Sequence, residues 1–226
     1  MIIEVKNLKK TYEGAVPVHA VKNINLNVAK GEFVAIMGRS GSGKSTLLHQ
    51  LGLLDTPTDG EIIIDGVNLV SLSAEQKTKF RLEKLGYVFQ AYALLPELTA
   101  LESVYLPLML QGVGKKEYIK KATKILGEVG LKERVHHLPC ELSGGEQQRV
   151  AVARAIINNP KILFADEPCA NLDSESSKTI LNLLKKLNEE LDQTIVMVSH
   201  DSEDKKYVER VIWLKDGLIE KEEKVS

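Results

Sequence analysis

One glycine-rich run has the residue types and spacing to bind phosphate: Gly38-Arg39-Ser40-Gly41-Ser42-Gly43-Lys44-Ser45. It fits GxxxxGK[ST], in which glycines let successive backbone N–H groups point at a phosphate chain. Lys44 supplies a positive charge, and the Ser45 hydroxyl is suited to magnesium. The run and Thr46 therefore predict a nucleotide-phosphate site.

A second run combines a buried strand with two carboxylates: Ile162-Leu163-Phe164-Ala165-Asp166-Glu167. Four apolar residues predict a strand of a parallel sheet, and such sheets bind ligands at the carboxyl ends of their strands. Asp166 is placed there to hold magnesium through water. Glu167 is placed to polarise a water molecule that attacks the terminal phosphate.

A third run, Leu142-Ser143-Gly144-Gly145-Glu146-Gln147-Gln148-Arg149, resembles the signature of ATP-binding cassette (ABC) transporter ATPases. The resemblance covers nearly the whole chain. It implies that Tyr12 stacks on adenine, that Gln90 contacts nucleotide and magnesium and links the site to a membrane partner, and that His200 orients the attacking water. It also identifies Asn171 to Asp173 as the segment called the D-loop.

The same resemblance implies a homodimer closed by two ATP molecules. Each ATP lies between the phosphate loop of one subunit and the signature of the other, an anion at a helix N-terminus. The signature residues expected to act across the dimer are Ser143, Gly144, Gly145 and Gln148. The implied catalytic residues are Glu167, His200 and Lys44, and the implied magnesium ligands are Ser45, Gln90 and Asp166.

The sequence departs from the usual family pattern at four places: Arg39, Glu141, Cys169 and Ala170. None of these departures removes a catalytic group. Cys169 and Ala170 adjoin the D-loop, so communication between the two ATP sites is the property they put in question. We expect Arg39 to face solvent.

The elements that must position these groups follow from hydrophobic periodicity. Phe33 to Met37 predicts the strand before the phosphate loop, and Lys44 begins the following helix. Further strands are predicted at Glu61 to Gly66, at Thr194 to Ser199, and in a pair joined by Asp216-Gly217. A last helix is expected to bury Ile180, Leu184, Leu187 and Leu191, and a lysine-rich helix to bury Tyr118, Ala122, Ile125, Leu126 and Val129.

This alternation predicts an α/β fold of the P-loop NTPase, ABC type, with a mainly parallel sheet core, an antiparallel β subdomain and an inserted α-helical subdomain. We expect a single domain over 1–226. Residues of about 1–89 and 159–226 form the core with its β subdomain, and residues of about 90–158 form the helical part with the Q-loop and signature. The charged end, 221–226, need not be ordered.

Composition sets limits on partners and location. Lys and Arg number 30 against 31 Asp and Glu, and the net charge of -1 gives no reason to expect a nucleic-acid partner. Two cysteines, Cys140 and Cys169, suit a reducing compartment. No apolar stretch reaches the ~18 residues of a membrane span. Together with these limits, the family resemblance implies a cytoplasmic ATPase, peripheral on the inner face of the cell membrane through a permease.

The segment from Val88 to Glu102 resembles the branch that serves lipoprotein release, macrolide efflux and peptide-antibiotic export. The resemblance implies a separate transmembrane permease that contacts the region near Gln90 to Glu102 and is powered by ATP. The alternatives are a cell-division type mechanotransmission ATPase, a soluble ABC ATPase of translation or DNA repair, and a nucleotide binder that does not hydrolyse ATP.

Overall fold

The structure is a computed structural model that describes residues 1–225 of the chain. It contains two sheets and six α-helices, with short 3₁₀ helices at Lys132–Arg134, Pro139–Glu141 and Ser202–Tyr207. The strands are β1 (Ile3–Tyr12), β2 (Val18–Val28), β3 (Phe33–Met37), β4 (Asp59–Ile64), β5 (Val67–Asn68), β6 (Leu85–Val88), β7 (Ile162–Asp166), β8 (Thr194–Ser199), β9 (Arg210–Lys215) and β10 (Leu218–Lys224). The helices are α1 (Lys44–Leu51), α2 (Ala74–Lys84), α3 (Ala100–Leu110), α4 (Lys115–Glu128), α5 (Gly144–Ile156) and α6 (Ser174–Leu191).

The larger sheet has six strands in the order β10-β9-β3-β8-β7-β6. Its inner strands are parallel, and β10 pairs antiparallel with β9. Every residue of β3, β7 and β8 is buried. These strands are continuous apolar runs because helices cover both faces of a parallel sheet. Their carboxyl ends carry the predicted phosphate loop, the two carboxylates and His200 to one edge.

The smaller sheet is antiparallel, with the order β2-β1-β4-β5. One apolar core joins this sheet to α1 and the larger sheet, and it contains Ile3, Leu8 and Ile62 together with Leu47 of α1 and Phe164 of β7. The β1–β2 hairpin is thereby held against the phosphate loop, the position that a nucleotide-contacting β subdomain requires.

The helical region has an apolar core of its own. Val104 of α3, Leu126 of α4 and Val150 of α5 are all fully buried there. Helices α3 and α5 each begin with a capping box, in which the N-cap hydroxyl and a glutamate three residues later satisfy two backbone N–H groups. The signature helix α5 therefore packs partly in a core separate from that of the sheets.

Three details differ from the sequence-based expectations. Leu191 is 68% exposed and does not extend the buried stripe of α6, because it is the last residue of the helix, directly before the C-cap Asp192. The charged end continues β10 as far as Lys224; Ser226 lies outside the described residues. Helix α2 was not predicted. Across residues 1–225, we find no helix with both the length and the apolar character needed to cross a membrane.

Candidate functional site

The phosphate loop connects β3 to α1 and is organised around Lys44. The Lys44 ammonium donates to the carbonyl oxygens of Gly38 (3.0 Å) and Arg39 (3.1 Å), and the residue is only 6% exposed. Arg39 itself is exposed, as expected. Helix α1 has no side-chain cap and no acidic residue in its first turn, so its N-terminal N–H groups face the loop mouth without a competing anion.

Two loop positions require glycine for close approach to the backbone of other strands. Gly38 has φ 154°, and a Cβ there would lie 2.2 Å from the Leu214 carbonyl of β9. Gly43 has φ 99°, and a Cβ there would lie 2.3 Å from the Ala20 carbonyl of β2. Side chains are excluded by both conformation and space. The loop is therefore packed between strands of the two sheets.

A cavity of about 550 Å³ opens over the loop. Its floor includes Ser40, Gly41, Gly43, Lys44, Ser45 and Thr46, and Glu167 lines the opposite wall. Strand β2 and the β9–β10 turn add residues that sequence reasoning missed: Val18, His19, Ala20, Lys22, Asp216 and Gly217. No local pattern marked them, since only the packing of the hairpin on the loop brings them there.

The predicted magnesium ligands Ser45 and Asp166 meet across the loop. Ser45 Oγ donates to Asp166 Oδ1 at 3.0 Å, and His49 Nε2 lies 3.0 Å from Asp166 Oδ2. His49 was also missed, although its spacing of four residues from Ser45 puts both on one face of α1. Tyr87 lies beside this carboxylate; burial and then the Asp166 charge raise its pKa.

These residues fit a magnesium ion that is shared with phosphate. Within residues 1–225 there is no cluster of three or more acidic, histidine or cysteine ligands. One hydroxyl and one carboxylate beside a phosphate cradle match Mg²⁺, which takes one or two protein oxygens and completes its shell with phosphate and water.

Glu167 and His200 lie together at the same sheet edge. Glu167 Oε2 is 3.4 Å from His200 Nδ1, and the Glu167 side chain is 20% exposed. Glu167 has φ 43°, and its N–H donates to the Val198 carbonyl of β8 at 3.1 Å. A left-handed backbone at a glutamate is uncommon. It turns the side chain from the end of β7 into the phosphate cavity.

The signature opens α5. Ser143 is exposed, whereas Gly145 is packed so closely that a Cβ there would lie 2.7 Å from Ser176 Oγ. Gln148 is fully buried, and its Nε2 donates to the Pro168 carbonyl at 2.8 Å. In this arrangement the Gln148 side chain binds within its own chain, and its action across the dimer stays a prediction. Ser143, Gly144 and Gly145 remain the signature positions at the start of the helix.

Gln90 is exposed and lies in a segment tied to two other elements. Its carbonyl accepts from Asn171 Nδ2 at 3.0 Å, which joins it to the D-loop. Two and three residues further on, Tyr92 and Ala93 have φ of 60° and 51°, and their carbonyls accept from the Arg154 guanidinium of α5. The structure therefore connects the Gln90 segment to the signature helix.

Tyr12 does not line the phosphate cavity. It is 42% exposed, its hydroxyl donates to Asp55 Oδ2 at 2.9 Å, and the Lys10 ammonium lies 4.8 Å from its ring centroid. Its role in stacking on adenine stays a prediction.

Comparison with known proteins identifies the family in which these site residues occur. Residues 21–170 match the family model described as ABC transporter. The chain belongs to the ABC transporter family of ATP-binding proteins. The predicted family and fold class are confirmed, because the cassette also superposes on a dimeric, post-hydrolysis structure of the ATP-binding cassette MJ0796 bound to ADP and Pi. That match has a TM-score of 0.93 and 48% identity over 99% of each chain.

Three relatives match nearly the whole of this chain. An uncharacterised ABC transporter ATP-binding protein, MJ0796 of Methanocaldococcus jannaschii, is 50% identical over 99% of this chain and 97% of its own length. The lipoprotein-releasing system ATP-binding protein LolD of Shewanella frigidimarina is 42% identical over 97% and 92%. The macrolide export ATP-binding/permease protein MacB of Bdellovibrio bacteriovorus is 45% identical over 100% of this chain but 34% of its own length.

Proposed function

We propose that this cassette binds and hydrolyses ATP to power a separate membrane permease, in a homodimer closed by ATP. One observation carries the proposal. In residues 1–225 the phosphate cavity brings together Lys44, Ser45 and Glu167, with His200 3.4 Å from Glu167, yet no signature residue lines that cavity. The protomer thus holds half of a site for the terminal phosphate, and the signature is free to serve another copy.

The dimeric state of the MJ0796 cassette supports the same arrangement. In a two-fold dimer each surface meets its counterpart reciprocally, so a loop-to-signature contact is made twice. Ser143, Gly144 and Gly145 would then present the N-terminus of α5 to the terminal phosphate held by the partner's loop.

The hydrolysis chemistry follows from the positions of these residues. Phosphoryl transfer to water depends on charge stabilisation and an in-line water more than on covalent catalysis. Lys44 and the α1 N-terminus stabilise charge on the phosphate oxygens. Glu167 accepts a proton from the attacking water, and His200 holds that water and the phosphate in line. Ser45 and Gln90, with Asp166 through water, would hold magnesium, and the ion would neutralise charge on the phosphate oxygens.

The decisive experiment compares Glu167→Gln with the unchanged chain. We expect the variant to bind MgATP, to lose turnover and to accumulate as a closed dimer in size-exclusion chromatography with light scattering. Glu190→Gln, an exposed carboxylate change on α6, is the control and should keep turnover and the monomer–dimer balance. A Glu167→Gln chain that remains monomeric in MgATP, or that hydrolyses ATP at the normal rate, would contradict the proposal.

An apolar groove offers a surface for the permease. It runs between α2 and the end of α3, and is lined by Leu82, Tyr87, Pro107, Leu110 and Arg154. Leu110 is 64% exposed. Arg154 also binds the carbonyls of Tyr92 and Ala93, so the groove adjoins the Gln90 segment. The permease region predicted near Gln90 to Glu102 thereby extends to α2 and α3.

We assign this groove to a cytoplasmic helix of the permease. The names of two relatives support a permease partner: one belongs to a lipoprotein-releasing system, and the other combines ATP-binding and permease parts. On this basis we propose export or extraction of a lipoprotein, macrolide or antimicrobial peptide, with the cassette peripheral on the inner face of the membrane. A mechanotransmission complex uses the same contacts.

Two exposed leucines provide a matched test of the groove. Leu110→Glu should abolish co-purification with the permease encoded beside this chain, because a buried charge is costly at an apolar interface. Its basal ATP turnover should stay within about twofold of that of the unchanged chain. Leu191→Glu, at a leucine that is 68% exposed on α6, should keep the permease bound. Equal binding by both variants would reject the groove, and recovery with ribosomes and no permease would reject the transport function.

A further inference from the structure

One buried carboxyl group near the site has no part in the proposed chemistry. Asp204 lies in the 3₁₀ helix Ser202–Tyr207 and is only 7% exposed. Burial raises its pKa, because the charged form loses water. A buried carboxyl group is costly unless hydrogen bonds compensate for the lost solvent, so the contacts that Asp204 makes indicate what it supports.

Asp204 holds the hydroxyl of Ser199, the last residue of β8. Ser199 Oγ donates to Asp204 Oδ2 at 2.6 Å, a short distance typical of a strong bond between a hydroxyl and a carboxylate. Ser199 Oγ also accepts the Asp201 N–H at 3.0 Å. Its single proton must therefore point to Asp204. The Asp204 N–H closes the turn by donating to the Asp201 carbonyl at 3.3 Å.

These bonds enclose His200, which lies between Ser199 and Asp201. The imidazole is 62% exposed and lies 3.4 Å from Glu167. Because solvent rather than packing surrounds most of the ring, its direction depends on the backbone turn that carries it. Loss of the Asp204 bond would free the Ser199 hydroxyl to rotate and would loosen that turn.

We infer that Asp204 is a positioning residue for hydrolysis: through the Ser199 hydroxyl it fixes the turn that presents His200 to Glu167. The inference rests on the proposed role of His200. Lys44 and the phosphate loop make no contact with this network, so ATP binding should not depend on it. A displaced His200 would impair the in-line geometry alone, and small misplacements can cost up to ~100-fold in rate.

The test separates positioning from general stabilisation through kcat and KM. Asp204→Ala and Ser199→Ala should each lower kcat for ATP by about tenfold or more, with KM and the thermal midpoint little changed. Asp204→Asn retains an oxygen that accepts the Ser199 proton, so it should keep kcat within about threefold. The double variant should be no slower than Ser199→Ala alone, since Ser199→Ala already removes the bond to Asp204.

A control and a reference variant complete the design. Glu203→Ala removes an exposed carboxylate from the same 3₁₀ helix and should leave kcat unchanged. His200→Ala shows how far kcat falls when the imidazole itself is removed. If it keeps normal turnover, the proposed role of His200 fails, and this inference fails with it. If His200→Ala is slow while Ser199→Ala and a folded Asp204 variant keep normal kcat, only the inference is overturned.

Folding defects do not leave the inference undecided. If Asp204→Ala does not fold, the comparison of Ser199→Ala with Asp204→Asn decides. Loss of kcat in the first with retention in the second supports positioning. Parallel loss of ATP affinity and kcat in the serine variant would instead show a general structural role and overturn the inference.

Discussion

Helices α1 and α5 both begin at serine- and glycine-rich turns, but they treat their first backbone N–H groups differently. The N-cap of α1 is Gly43, with no side-chain cap and no acid in the first turn. The N-cap of α5 is Ser143, whose hydroxyl accepts the Glu146 N–H, while the Glu146 carboxylate accepts the Ser143 N–H at 2.8 Å.

This difference separates a primary anion site from a conditional one. On the proposed function, uncapped N–H groups and the helix dipole make the start of α1 a phosphate site on its own. At α5 a serine and a glutamate already occupy that role, and Glu146 is in turn paired with Arg134 at 3.0 Å. On the proposed function, the signature gains a phosphate contact only when ATP held by another copy is brought to it.

The largest effect should come from inactivating the two helix starts in separate chains. Lys44→Ala and Ser143→Arg should each reduce ATP turnover by about 100-fold or more, since charge stabilisation at the transferred phosphate is a large part of catalysis. Mixed in equal amounts, they should recover about a quarter of normal turnover, because half of the dimers contain one intact composite site.

The matched control for that mixture pairs Lys44→Ala with Glu167→Gln. Both changes affect the half-site built on the phosphate loop, so every mixed dimer has two defective sites and should show no recovery. Recovery in the control, or none in the Lys44→Ala and Ser143→Arg mixture, would refute the shared site.

The next effect concerns ATP affinity in the monomer. Lys44→Ala should weaken ATP binding by roughly 10- to 100-fold, the range expected for a lost hydrogen bond to a charged group. Ser143→Ala should leave monomer affinity within about twofold. Equilibrium binding below the dimerising concentration measures both. Equal losses of ATP affinity in the two variants would contradict the claim that only the start of α1 binds phosphate in the monomer.

A smaller effect is expected one turn into α1. His49→Leu removes the nitrogen that lies 3.0 Å from Asp166 Oδ2 and should raise the Mg²⁺ requirement of turnover by about tenfold, as loss of outer-shell partners commonly does. His49→Asn, which keeps a polar partner, should lie closer to the unchanged chain. Mn²⁺ binding followed by electron paramagnetic resonance in the presence of ATP gives an independent readout. An unchanged metal requirement in His49→Leu would show that His49 does not orient Asp166.

The smallest effect belongs to the α5 cap. The Ser143 N–H and then Arg134 hold the pKa of Glu146 below its ordinary value. Ionised Glu146 therefore stabilises the fold above the unfolded pKa of about 4.3, and this contribution is lost as pH falls through the lower folded pKa. Glu146→Gln keeps the capping-box bond but loses the charge paired with Arg134, so it should lose about 0.5 kcal/mol at pH 7. Its thermal midpoint, measured across pH, should converge with that of the unchanged chain in acid.

Sequence patterns predicted elements whose signal is local. The strands Phe33 to Met37, Ile162 to Asp166 and Thr194 to Ser199 were predicted because buried parallel strands are continuous apolar runs. Helix α2 has no buried residue, so it has no apolar stripe to detect. Its one sequence signal is the Ser73 and Gln76 capping box.

Site residues divide in the same way. The phosphate loop, Asp166 and Glu167 follow from the order of neighbours along the chain. His49 had a usable signal in its helical spacing from Ser45. The burial of Gln148 against Pro168 had none, because it depends on how α5 meets a loop 20 residues further along the chain.

The close approach of Gly38 to Leu214 and of Gly43 to Ala20 has a consequence for engineering. The phosphate loop packs between strand β9 of one sheet and strand β2 of the other. A designer who moved this loop onto a different strand–helix unit would transplant the motif without the two carbonyls that shape it. To transfer the motif, a designer must therefore graft both flanking strands. A substitution at either glycine should disturb the packing between the two sheets more than it disturbs phosphate binding.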